Sequence, residues 1–82
     1  MTYQQHLATA MVHLGSGDDA AALHSFNDAL AEAGRVDPDG PRVAECLNYL
    51  ASFHEQAGRL DEAVAARTVA RRIEGRFNSE GL

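Results

Sequence analysis

Apolar side chains recur in this chain every three or four positions. Leu7, Ala10, Met11 and Leu14 keep the i, i+3, i+4, i+7 spacing of one helix face, and Gly15-Ser16-Gly17 then breaks it. Ala22, Leu23, Phe26, Ala29, Leu30 and Ala33 resume the pattern as far as Gly34, a natural residue for a helix end. Ser16 and Asp19 are spaced as a capping box at the start of that second helix. A third stripe of Val43, Leu47, Leu50, Ala51 and His54, flanked by Phe53, runs to about Gly58. A fourth starts around Asp61, uses Ala63, Val64, Ala66, Ala70 and Ile73, and ends at Gly75, with a frayed end from Asn78 to Gly81. No stretch alternates apolar and polar residues long enough for a strand. The pattern predicts an all-α chain of four helices.

The same marks return at one interval. Gly17 and Gly58, Ala22 and Ala63, Ala29 and Ala70, Gly34 and Gly75, and Arg35 and Arg76 are all 41 positions apart. The chain therefore reads as two antiparallel helix-turn-helix repeats in a single domain, 1–82. Repeat one covers about 2–35, a linker 36–40, repeat two about 41–76, and a tail 77–82. The linker, Asp37-Pro38-Asp39-Gly40, is a turn, and Pro41 suits the first position of a helix. For the first helix of each repeat, a shift of 40 aligns large residues better, Leu7 with Leu47 and Tyr3 with Val43. That register predicts two corners that differ in length by one residue.

The second repeat contains Pro41, Val43 and Ala44, then Leu47-Asn48-x-Leu50-Ala51, then Gly58-Arg59-x-x-Glu62-Ala63. In the first repeat, Ala22, Phe26 and Ala29 give Ala-x3-aromatic-x2-Ala. In these residues the chain resembles the tetratricopeptide repeats, in the kinesin-light-chain-like variety with a long linker that is common in bacterial proteins. The resemblance implies an α-solenoid fragment in which alanines let helices approach closely and larger residues fill the layers between them. Two positions depart from it: Arg67 stands at the second-helix aromatic, and His54 at the usual first-helix tyrosine.

Composition narrows the function. The 82 residues carry a net charge of -5, a single cysteine and no lysine. An acidic total argues against a general nucleic-acid binder. Lone Cys46, with no secretory leader pattern, implies a soluble protein of a reducing cytoplasm, and no apolar run approaches a membrane span. Met1 and the short tail are read as the ends of a complete small protein. Charge is uneven: residues 1–34 hold Asp18, Asp19, Asp28 and Glu32 and no base, whereas Arg59, Arg67, Arg71, Arg72 and Arg76 gather in the last helix region.

Catalytic readings find little support. His54-Glu55 opens like a zinc-hydrolase helix, but Gly58 stands where the second histidine belongs. Asp37-Pro38-Asp39-Gly40 opens like a calcium loop, but Pro41 and Asn48 occupy its later ligand positions. No phosphate loop or nucleophile elbow appears. We expect no enzyme activity, no cofactor and no metal, and read Cys46 as a small buried hydrophobe.

A binding surface remains. The resemblance implies a concave groove lined by the first helices of the repeats, holding a peptide or helix of a protein partner. Carried over residue by residue, it presents Gln5, Ala8, Thr9 and Val12, then Glu45, Asn48, Tyr49, Ser52 and Glu55. The family's lysine clamp for acidic tails has no counterpart here, and the two glutamates favour a basic or neutral ligand. Two repeats are few for a solenoid. Val64, Val69, Phe77 and Leu82 thus predict either self-association, most simply as a two-fold homodimer, or a cover folded back from the tail. An alternative function, a small nucleic-acid-associated regulator, would use an arginine ridge of Arg67, Arg71 and Arg72.

Overall fold

The computed structural model describes the backbone of residues 1–80 and the side chains of residues 1–76. Four helices follow in order: α1 (Tyr3–Gly15), α2 (Asp19–Val36), α3 (Pro41–Gln56) and α4 (Leu60–Glu80). The fold is all-α, with no strand among the described residues, and is built of two helix hairpins. α1 pairs with α2, α2 with α3, and α3 with α4, so each helix packs chiefly on its neighbours in sequence. The result is a slab of 42 × 29 × 16 Å. So thin a body has little deep interior. Its core relies on alanines (Ala10, Ala22, Ala29, Ala51 and Ala70 are fully buried), and the largest fully buried side chains are Phe26 and Cys46.

Both corners close in the same way. After α1, the Asp18 amide donates to the His13 carbonyl at 2.9 Å and the Gly17 amide to Leu14 at 3.1 Å. After α3, Arg59 donates to His54 at 2.8 Å and Gly58 to Glu55 at 3.1 Å. These are the two bonds of a Schellman ending, which needs a left-handed residue just past the helix. Gly17 (φ 79°) and Gly58 (φ 81°) supply it at little steric cost.

The equality of the corners corrects the register read from sequence. A single shift of 41 runs from the end of α1 into α2, and the two corners are equal in length. Ala10 therefore corresponds to Ala51, and both are fully buried. Met11, expected on the core stripe, is 50% exposed. The α2 cap also differs from expectation. Asp18, not Ser16, accepts the Ala21 amide at 3.1 Å, while the Ser16 hydroxyl turns back to the Val12 carbonyl. Gly34 and Gly75 end nothing, because helix continues through both. α2 stops instead at Val36, where Pro38 forces Asp37 into extended backbone (φ -155°, ψ 104°). α4 runs through Gly75 and the expected fray to Glu80, with no proline to stop it.

Within this frame α3 differs from α1. It buries Val43, Ala44, Cys46, Leu50, Ala51 and Phe53, the last against Phe26 of α2. α1 buries only Leu7 and Ala10. The N-cap of α1 is nevertheless well made, with Thr2 and Gln5 forming a capping box.

Candidate binding surface

Phe26 organises the junction between the two hairpins. Its ring stacks on Tyr49 (centroids 6.2 Å, planes 21° apart) and meets Phe53 at 5.9 Å. Tyr49 remains 41% exposed, so it is an aromatic held rigidly from behind and offered to solvent in front. Aromatics fixed in this way lose little freedom on binding, and tyrosine is enriched at interface anchors. Glu45, Asn48, Tyr49 and Ser52 line one shallow, open hollow of about 210 Å³ on α3. Asn48 donates from its amide to Glu74 on α4 at 3.4 Å, which ties one edge of the hollow to the neighbouring helix.

The remaining groove candidates lie elsewhere. Glu55 pairs with Arg67 across the α3–α4 seam. Gln5, Ala8, Thr9 and Val12 occupy α1 but do not line the α3 hollow. With the register at 41, they correspond to Cys46, Tyr49, Leu50 and Phe53, the stripe by which α3 meets α2. On α1 Gln5 and Ala8 are exposed, Thr9 is half-buried, and Val12 is 67% exposed. A register of 40, set by matching Leu7 to Leu47, puts them one position off.

The two departures from the repeat pattern each meet an acid. Arg67 is held by Glu55. His54 Nδ1 lies 3.2 Å from Glu62 Oε2, but the pair is not aligned for a hydrogen bond, and this buried nitrogen has no hydrogen-bond partner among the described residues. The ring of His54 stands edge-on to Phe53 at 5.6 Å. Cation–π contacts add two further ties, Arg59 over Phe53 and Arg42 over Tyr3, both at 5.8 Å. None of these pairings was legible beforehand, because long side chains on different helices choose partners according to how the helices cross.

Arg67, Arg71 and Arg72 do not form one free ridge. Arg67 is half-buried in its ion pair, and Arg72 lies about 100° around the helix from Arg71. Arg67 and Arg71 instead line an open hollow of about 240 Å³ with Glu55, Leu60, Ala63, Val64 and Thr68. Val64 is 64% and Val69 40% exposed, while Phe77 and Leu82, expected near them, lie outside the residues whose side chains are described.

Cys46 is fully buried, and burial, with the Glu45 carboxylate adding to it, pushes its thiol up to about 11. A thiol so far from ionising is a poor nucleophile. No group of three or more His, Cys, Asp or Glu side chains stands close enough to hold a metal ion among the described residues, and no helix there is long and apolar enough to cross a membrane. Set against protein-family models, curated proteins and solved structures, the chain matches none of them.

Proposed function

We propose that the chain is a tetratricopeptide-type interaction module of the cytoplasm, a binding protein rather than an enzyme. It takes a peptide or helix of a protein partner on the exposed face of α3 and also associates with itself. The observation that supports this reading is Tyr49, braced by Phe26 and framed by Glu45, Asn48 and Ser52 in an open hollow. An aromatic anchor beside an amide and a carboxylate suits an extended or helical segment with an apolar side chain and a neutral or basic neighbour. The acidic rim disfavours acidic ligands.

The test is capture of partners from the native cell by wild-type protein and by variants of the hollow. Tyr49→Ala and Glu45→Lys should each lose a partner that wild type retains, while Val64→Arg, on the far side of α4, should keep it. Equal capture by all three variants would overturn the α3 face as the binding site.

A further inference from the structure

The interface between the hairpins exists once inside the chain, and its two halves recur unpaired at the ends. We propose that a second copy of this chain docks its α1 on the outer face of α4, head to tail, as α3 docks on α2 within one copy. This rests on the self-association part of the reading above and assigns it a face, an occupant and a polarity.

Moving the hollow on α4 back by 41 positions turns Val64 into Leu23, Arg67 into Phe26 and Arg71 into Leu30. Those residues belong to the α2 face that receives α3, since Phe26 touches both Tyr49 and Phe53. The ends of the two faces correspond as well. Glu55 and Leu60 map onto Leu14 and Asp19, and the last turn of α3 borders those two residues through Phe53 and Gln56. The hollow on α4 is thus the empty seat of a next first helix.

The matching surface lies on α1. Ala8, Thr9 and Val12 stand in for Tyr49, Leu50 and Phe53; Ala8 and Val12 are exposed and Thr9 is half-buried. Their small size fits the exchange on the other side. Where Phe26 fills the space between Tyr49 and Phe53, the stem of Arg67 would lie between Ala8 and Val12, with its head kept by Glu55.

Charge favours this polarity over a two-fold one. A two-fold pairing through α4 would bring Arg67 and Arg71 of one copy toward the same residues of the other. Head-to-tail docking sets the arginine-rich end of one copy beside residues 1–34 of the next, which hold no lysine or arginine and carry four acids at the first corner and along α2. It also covers both open faces, where the two-fold arrangement leaves α1 bare. Such a heterologous contact repeats and does not stop at two copies unless it closes into a ring.

Sedimentation across a wide concentration range tests this. Wild type should grow beyond a dimer, and less so at high salt. Val12→Arg and Val64→Arg, both at exposed positions, should each be monomeric with unchanged helix content. Mixed in equal amounts they should give a 1:1 dimer and nothing larger, because one intact α1 face meets one intact α4 face. Ala8→Arg with Thr68→Arg repeats the test should either first variant fail to fold. Three results would each overturn the proposal: monomeric wild type throughout, Val12→Arg associating like wild type, or a mixture that stays monomeric.

Discussion

α2 and α4 are the same helix in two situations. Each follows a Schellman corner, each begins two residues past a left-handed glycine, and each buries a row of alanines. They part at one position beside those alanines. α2 carries Phe26 there, fully buried under α3, whereas α4 carries Arg67, half-exposed and held by Glu55. One residue type marks an inner layer and the other an outer surface. A buried face needs an apolar group that fills its space, and an open face needs a side chain whose charge stays solvated. The difference in sequence is therefore a record of what each face meets.

That comparison can be broken most severely at Phe26. Phe26→Ala should cost about 3–5 kcal/mol in denaturant unfolding, much of the stability available to a chain of this size. Arg67→Ala, at the equivalent position, should cost less than about 1 kcal/mol, since its ion pair is only half-buried. Equal losses would deny the contrast. The corners should behave as twins: Gly17→Ala and Gly58→Ala should each cost about 1–2 kcal/mol, because both need positive φ. An asymmetric result would show that one corner relaxes.

An effect absent at neutral pH belongs to Cys46. Its folded-state value of about 11 stands above the ordinary 9.0. Below the ordinary value the thiol is protonated in both states. As pH rises from 9.0 toward 11, the unfolded chain loses this proton while the folded chain keeps it, so stability falls across that window. Denaturation curves at about pH 8 and about pH 10 should show the fall, and Cys46→Ala should lessen it.

The helices and corners were legible because their causes are local. Left-handed glycines, a proline at the start of α3 and apolar residues at helical spacing act within a few positions. The register of α1 was not. A terminal helix has only one buried stripe, and so few large apolar residues that Leu7 could be matched to the wrong partner. The same slip paired Gln5, Ala8, Thr9 and Val12 with Glu45, Asn48, Tyr49 and Ser52 instead of with Cys46, Tyr49, Leu50 and Phe53. Glu45, Asn48, Tyr49 and Ser52 line one hollow because they follow one another on a single helix. Gly34 and Gly75 misled for a different reason: glycine inside a helix costs only about 1 kcal/mol and does not by itself stop one.

The duplicated corner makes the chain a natural substrate for cut-and-paste engineering. Asp18 and Arg59 sit at identical backbone junctions, each with its amide bonded to the carbonyl five residues earlier. A second copy of residues 19–59 spliced in after Arg59 would present every junction with the conformation it already has. The lengthened protein would contain the Phe26-centred layer twice while keeping its two ends as they are. Each inserted layer would be shielded on both sides, so melting temperature should climb with the number of insertions.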